Sequence, residues 1–203
     1  MGLLEFFRVV NDLQPTYKDM VRAMGFGGLL DLNFKVSRNG VAYELLRRFD
    51  VESRSLQVHG RKVQVSEGHV SWLLGLSCGG IEVNSIVFNK KKVCAKYGIR
   101  SNKLSRKELV QELKRTDIGE RWVALFLMLV VDCVLWPSSS YFVSHDILRV
   151  MSHSENLKSI NWSKFVLDGL VGGAKKLGKI SKELVAGEKR YIPIHGCTIL
   201  LEV

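Results

Sequence analysis

An uninterrupted apolar run, WVALFLMLVV at residues 122–131, limits what this chain can fold into more than any other feature. Ten apolar residues are too few for a membrane span, which needs about twenty, and charged residues flank the run on both sides. A helix that is apolar all round has to be covered by other elements. The run therefore predicts a central buried helix and no membrane contact. The side chains predicted to lie in its core are Trp122, Leu125, Phe126, Leu129 and Val130.

Apolar residues at helical spacing recur on both sides of this run, which predicts further helices packed around it. One stretch differs: apolar residues alternate with polar ones on both sides of His59-Gly60, a pattern typical of a β-hairpin. The predicted fold class is mainly α (α+β), a single helical domain over residues 1–203 with a small antiparallel β-hairpin at 55–65. Residues 76–104 are expected to form an irregular basic insertion, and residues 172–190 a surface segment rich in glycine and lysine.

Helix ends are predicted from capping residues and glycines. Ser105 and Glu108 have the spacing of a capping box, and Asn161 stands before another apolar helical pattern. The stretch MGFGGLLDL at residues 24–32 could be read as a phosphate-binding loop, but Leu30 occupies the third glycine position of the dinucleotide fingerprint, and the residues before it read as a helix. The glycines are therefore interpreted as turn residues, with Gly25 ending a helix and Gly27-Gly28 reversing the chain.

Catalytic chemistry has little support in the sequence. The cysteines Cys78, Cys94, Cys133 and Cys197 have no zinc-ligand spacing, which favours free thiols in a reducing, intracellular compartment. His145 and His153 could share a helix face, but two exposed histidines explain the spacing without a metal. No nucleophile elbow and no paired carboxylates are present. We therefore predict a protein that is not an enzyme, with no catalytic residue, no cofactor and no metal.

The positive charge is concentrated in two segments. The chain carries a net charge of +10, and residues 86–115 hold ten Lys and Arg against two Glu. The composition of this segment is compatible with contact with nucleic acid or with an acidic partner, and Phe88 and Tyr97 could add limited stacking on bases. A solvated loop that keeps the protein soluble explains the same composition and is favoured over nucleic acid. The residues predicted to make such a contact are Lys90, Lys91, Lys92, Lys96 and Arg100.

Several stretches taken together resemble the plant mobile domain, also labelled aminotransferase-like. They are MGFGGLLDL, YELLRRFD and SLQVHGRKVQVSEGHVSWLLGL, followed by Leu135-Trp136-Pro137-Ser138, Val143-Ser144, Asn161-Trp162 with Phe165 and Asp168, and His195-Gly196-Cys197. The resemblance runs from about residue 20 to the end of the chain. The chain stops at Val203, where members of that family usually continue an apolar helix, as a short gene product or an excised domain would.

The resemblance implies a plant transposon-derived, nuclear protein with a role in transposon silencing or development. It also implies action through partner proteins, phosphatase-like ones among them, and it supplies no catalytic residue. The expected function is thus a non-enzymatic protein-interaction module. The alternative is a domain that binds nucleic acid weakly and without sequence preference through residues 86–115. The oligomeric state is left open.

Overall fold

Ten α-helices and three β-strands lie within the residues that the computed structural model describes, which are 2–32, 39–58, 60–99, 105–137, 145–183 and 195–201. The helices are α1 (Gly2–Asp12), α2 (Pro15–Ala23), α3 (Gly27–Leu30), α4 (Asn39–Arg48), α5 (Glu67–Leu74), α6 (Lys90–Tyr97), α7 (Arg106–Arg115), α8 (Glu120–Val130), α9 (His145–Met151) and α10 (Trp162–Glu183). The strands are β1 (Phe49–Asp50), β2 (Ser55–Val58) and β3 (Arg61–Gln64). The predicted fold class, mainly α with a small antiparallel hairpin, is confirmed.

The apolar run forms α8 and continues into one turn of π-helix, Val131–Leu135. Helices α6, α7 and α9 pack around α8, and α1 packs against the π-helical turn. All five side chains predicted for the core are buried, and the Phe126 ring stacks on Trp122 with 5.1 Å between ring centroids. In the described part of the chain, no helix combines the length and the apolar character that crossing a bilayer requires.

Local capping explains where several helices begin. Ser105 and Glu108 form the predicted capping box, with the serine Oγ accepting from the Glu108 N–H and the carboxylate accepting from the Ser105 N–H. Asn161 caps α10 by accepting from the Lys164 N–H at 3.0 Å. Ser66 caps α5, and His69 takes the place that glutamate has in the usual box. These interactions satisfy backbone groups that a helix terminus leaves free.

The hairpin is antiparallel, as predicted, and β1 adds a third strand in the order β1-β2-β3. The register pairs Leu56 with Val63 and Val58 with Arg61. Leu56 is buried while its cross-strand neighbour Val63 is half exposed, so the core covers β2 at this level and leaves β3 open. Val41 on α4 is also half exposed, because Ala42 and Leu46 face the core.

The glycines of residues 25–28 do two different things. Gly25 follows α2 with φ +90°, the left-handed conformation predicted for a helix end. Gly27 and Gly28 do not reverse the chain as expected; they begin the single-turn helix α3. Gly28 lies against the end of α5, where a methyl group would come within 2.7 Å of Gly75 Cα. Glycine is required there because two backbones touch.

Two segments for which no helix was predicted contain helix. Within residues 76–104, Lys90–Tyr97 form α6, and residues 83–85 form a 3-10 turn. The segment also makes an isolated parallel bridge, Ile81 with Ile160, beside the start of α10. Helix α10 continues through Gly172-Gly173 to Glu183, so the described part of the predicted surface segment is helical. The apolar positions Leu170, Ala174 and Leu177 recur at helical spacing and are buried.

Candidate interaction surfaces

Three of the predicted contact residues lie together in the first turn of α6. Asn89 caps this helix by accepting from the Lys92 N–H at 3.1 Å, and Val93 and Tyr97 are its buried side chains. Lys91 and Lys92 are exposed and Lys90 is partly exposed. We call Lys90, Lys91 and Lys92 the lysine cluster. Among the described residues, none of the three forms an ion pair.

The position of the lysine cluster is unfavourable for the isolated protein. A helix N-terminus carries partial positive charge, so cations in the first turn are repelled by the helix dipole and by one another. No acidic residue lies in the first turn of α6 to offset this. An anionic partner would relieve both repulsions, and its binding would be stronger for that reason.

The other two predicted residues do not join the cluster. The Lys96 ammonium lies 3.2 Å from a carboxylate oxygen of Glu120 and 3.8 Å from one of Glu155. The hydrogen bond to Glu120 is the main reason that the pKa of Lys96 is raised. Lys96 is therefore engaged within the protein, and an external phosphate would have to compete with two carboxylates. Arg100 lies outside the described residues.

The two aromatic residues expected to stack on bases are not available for stacking. Tyr97 is buried, and its hydroxyl donates to the Met151 carbonyl oxygen at 3.1 Å. The Arg149 guanidinium lies over the Phe88 ring, 5.7 Å from its centroid. Base stacking needs an open ring face, so the contact surface at α6 is electrostatic only.

A second surface is formed by Trp72 on α5, which is 81% exposed. Val70 and Leu74 hold the opposite side of this helix in the core, where it packs against α10. Helical side chains lean over the preceding turn, so Trp72 leans toward position 68. That position is Gly68, which has no side chain to cover the indole. Trp72 was not singled out from the sequence; the glycine one turn earlier was the available signal.

The described lysines of the second basic segment, residues 172–190, lie on the exposed side of α10. Lys175, Lys176 and Lys179 project there, while Ala174 and Leu177 are buried. These three lysines carry the same charge as the lysine cluster but lie in the middle of a long helix rather than at a helix start. They therefore provide a matched comparison for experiments on the lysine cluster.

The described residues contain no group of three His, Cys, Asp or Glu side chains that could hold a metal ion. Cys133 is buried in the π-helical turn, and burial raises the pKa of its thiol to about 12, so the thiol is protonated and unreactive at neutral pH. His153 follows the end of α9, with Nε2 3.3 Å from Ser159 Oγ, and the His145 side chain lies outside the described residues. A hollow of about 430 Å³ on the sheet is open and lined by Glu52, Ser53, Arg54, Lys62 and Gln64.

The fold and these surfaces define a small, mainly helical domain with exposed basic and aromatic residues. The chain belongs to the family described as "Domain of unknown function (DUF8566)", whose family model matches residues 3–202. No curated protein matches the chain, and no solved structure does.

The family match corrects the resemblance to the plant mobile domain. All the motifs quoted for that resemblance lie within residues 3–202, and the family that matches this whole stretch is a different one. The assignment to the plant mobile domain was therefore wrong. That resemblance was the basis for four expectations, which are now without support. They are the transposon origin, the nuclear location, the role in silencing or development and the phosphatase-like partners.

Proposed function

We propose that this domain is a non-enzymatic protein-interaction module. The observation that carries the proposal is Trp72, a tryptophan 81% exposed on a helix whose other side is anchored in the core. Tryptophan is enriched among the residues that dominate the binding energy of protein interfaces, because it buries a large apolar area and adds an N–H donor. Exposure of the whole side chain to water costs free energy that a partner surface would recover.

The rigid position of α5 supports this proposal. The Glu67 carboxylate accepts from the Asn161 side chain at 2.9 Å, which ties the start of α5 to the start of α10. The other end is held by the contact between Gly75 and Gly28. A side chain on a helix fixed at both ends loses little conformational freedom on binding, apart from its own rotamers, and this favours affinity.

The test compares three immobilised proteins: wild type, Trp72→Ala and Val87→Ala. Val87 is 96% exposed and serves as the control, because its truncation also removes exposed apolar surface. Each protein is incubated with an extract of its source tissue, and retained proteins are identified by mass spectrometry. We expect a retained protein whose affinity falls about 30-fold or more for Trp72→Ala, as for an interface residue worth about 2 kcal/mol. The Val87→Ala protein should retain it normally.

Two results would contradict the proposal. One is that no protein is retained by the wild type above the level of an unrelated basic domain. The other is that all three proteins retain the same set equally. Thermal melts would exclude unfolding as a cause, since substitutions at exposed positions usually change stability by less than about 0.5 kcal/mol.

The lysine cluster favours a second candidate function, non-specific binding of nucleic acid. Three adjacent cations without an ion pair among the described residues suit phosphate contact, and the engaged aromatic rings at α6 limit such binding to electrostatics. The proposed ligand in that case is duplex DNA or RNA, bound weakly and without sequence preference. Displacement of condensed counterions would make the affinity depend steeply on salt.

Two triple variants with the same change in charge test this candidate. Changing Lys90, Lys91 and Lys92 to Glu should weaken binding to a random-sequence duplex and flatten the log–log salt dependence by about 0.9 for each phosphate that is no longer neutralised. Changing Lys175, Lys176 and Lys179 to Glu should leave most of the affinity. Equal decreases in affinity would assign the binding to overall charge. If the wild type shows no salt-sensitive binding, nucleic-acid binding is eliminated as a candidate function.

A further inference from the structure

Strand β3 is the outer strand of the small sheet, and its free edge faces solvent. It pairs with β2 on one side, at the end of the order β1-β2-β3. All four of its residues, Arg61 to Gln64, are exposed. An outer strand of this kind offers a row of backbone groups to which another extended chain can pair.

The register shows which backbone groups point outward. Val58 and Arg61 flank the two-residue turn and form the pair that exchanges both hydrogen bonds, and such pairs alternate along an antiparallel ladder. Arg61 and Val63 therefore direct their N–H and C=O groups toward β2. The Val65 N–H continues this series by donating to the Arg54 carbonyl oxygen at 2.8 Å. The N–H and C=O groups of Lys62 and Gln64 consequently point away from the sheet.

These outward groups have no partner of their own in the described part of the chain. No backbone hydrogen bond from another element reaches Lys62 or Gln64 there. Two residues with outward N–H and C=O groups allow an added antiparallel strand to form up to four hydrogen bonds, the number that two such residues can make.

The side chains of β3 indicate what kind of strand would fit. Arg61 and Val63 lie on one face of the sheet, together with Val58, which is partly exposed. Lys62 and Gln64 lie on the other face, beside the open hollow. Cross-strand neighbours on one face attract each other when they are apolar or oppositely charged. A matching strand would place acidic residues opposite Arg61 and Lys62 and a β-branched residue opposite Val63.

Neither Arg61 nor Lys62 forms an ion pair among the described residues. The Asp50 carboxylate accepts from the backbone N–H groups of Glu52 and Ser53 at 2.9 and 3.1 Å. These hydrogen bonds, above all those with Ser53, lower the pKa of Asp50, and the charge of nearby Lys62 lowers it further. A second copy of this chain is a poor occupant, because pairing β3 with itself would bring four cations together.

We propose that the free edge of β3 binds an extended acidic segment of a partner protein, which adds to the sheet as a fourth, antiparallel strand. This inference rests on the proposed function and names a surface and a partner chemistry for it. From its N-terminal to its C-terminal side, the partner segment would place a polar residue opposite Gln64 and a β-branched residue opposite Val63. Acidic residues would then follow opposite Lys62 and Arg61.

The test uses a ten-residue synthetic peptide built around Thr-Val-Glu-Glu and a control peptide built around Thr-Val-Lys-Lys. Binding to the full chain is followed by amide chemical shifts and by hydrogen exchange. We expect the acidic peptide to bind, to protect the Lys62 and Gln64 amides from exchange and to leave those of Arg61 and Val63 nearly unchanged. The basic peptide should not bind.

Matched variants separate the edge from the charge. Gln64→Pro removes one outward N–H without breaking the β2–β3 ladder, since proline is tolerated where the N–H faces solvent. Gln64→Thr keeps that N–H. We expect the proline variant to bind the acidic peptide about tenfold more weakly than the threonine variant, as for removal of one backbone hydrogen bond. Lys62→Glu should weaken binding of the acidic peptide by a similar factor and improve binding of the basic one.

Several outcomes would overturn the inference. These are equal affinities of Gln64→Pro and Gln64→Thr, no protection of the Lys62 and Gln64 amides, or no binding of the acidic peptide at low ionic strength. If the proline variant fails to fold, the Lys62→Glu variant and the exchange pattern still decide. If the peptide does not bind but Trp72 is still required to retain a partner, the proposal for the β3 edge is refuted and the interaction module stands. If neither is observed, the interaction module is refuted as well.

Discussion

Replacing Gly173 with alanine should destabilise this protein, although the same change at its neighbour Gly172 should stabilise it. Both glycines lie inside α10. A methyl group at Gly172 would meet no atom within 4 Å. A methyl group at Gly173 would overlap the His195 carbonyl oxygen and lie 2.8 Å from its carbonyl carbon. The difference arises because residues 195–201 pack directly on the helix at Gly173.

The magnitude follows from three contributions. In the interior of a helix, alanine is favoured over glycine by about 1 kcal/mol, which applies to both positions. At Gly173 the backbone of His195 must move away, and forced displacements in a packed site cost about 1–3 kcal/mol. Full release of residues 195–201 would cost more, since it would expose Ile199, Leu200 and Leu201, which are buried, at about 1.5–3 kcal/mol each. We therefore expect a gain of about 1 kcal/mol for Gly172→Ala. At Gly173 the overlap is with a backbone oxygen, which puts the cost at the upper end, about 3 kcal/mol, and the helix gain reduces this to a net loss of about 2 kcal/mol for Gly173→Ala.

Thermal unfolding followed by circular dichroism measures this difference. For a chain of this size, 1 kcal/mol shifts Tm by about 2–4 °C, so Gly172→Ala should raise Tm by about that amount and Gly173→Ala should lower it by about 4–8 °C. Urea denaturation should give the same order of stability. If both variants raise Tm equally, residues 195–201 do not lie against Gly173, and the contact of this segment with α10 is refuted.

Two further outcomes are expected. Phe126→Ala should lower the free energy of unfolding by about 3–5 kcal/mol, because Phe126 is fully buried between Trp122 and Phe6; a loss under about 1 kcal/mol in urea titration would show that α8 is not central. The Cys133 thiol has a folded pKa of about 12 against an ordinary value of 9.0. The unfolded chain therefore binds fewer protons between these pH values, and stability should fall by up to about 1.4 kcal/mol per pH unit as pH rises through that window. Comparison of wild type with Cys133→Ala across this window should isolate the contribution; equal slopes would contradict it.

Features decided by neighbouring residues were predictable from the sequence. The Ser105–Glu108 capping box depends on residues three apart, and the hairpin depends on alternation around a glycine turn. The buried state of α8 follows from composition alone, since no side of that helix is polar over ten residues. The structure places each of these features where the local pattern predicted them.

Helix α6 was missed because its sequence opens with three lysines at the unfavourable end of the helix dipole. The signals that could have revealed it are Asn89 as the cap, Gly98 in the left-handed conformation after the last turn, and Val93 and Tyr97 four residues apart on one side. The helix forms despite the lysines because Tyr97 is held by hydrogen bonds to residues more than fifty positions away. Local sequence contains no information about those contacts.

The continuation of α10 and the contact between Gly28 and Gly75 depend on distant residues in the same way. A pair of adjacent glycines weakens a helix when it is considered alone. In the fold, Gly173 gives room for the His195 backbone, and Gly28 gives room for the end of α5. The same residue type that marks a helix end in a sequence thus marks a close contact between elements in the structure, and only the structure distinguishes the two.

The features that contribute nothing to the stability of the isolated domain lie on its surface rather than in its core. In the core, the helix caps, the spacing of apolar residues and the burial all agree with one fold. The indole of Trp72 and the unpaired edge of β3 are open to water in the folded chain as in the unfolded one, and the three cations in the first turn of α6 are repelled by one another and by the helix dipole. Contact with a macromolecule would engage each of them: an apolar surface, an extended chain and an anion, respectively. Departures from folding rules tend to occur at functional sites, and these three have in common that a partner, rather than a small substrate, would resolve them.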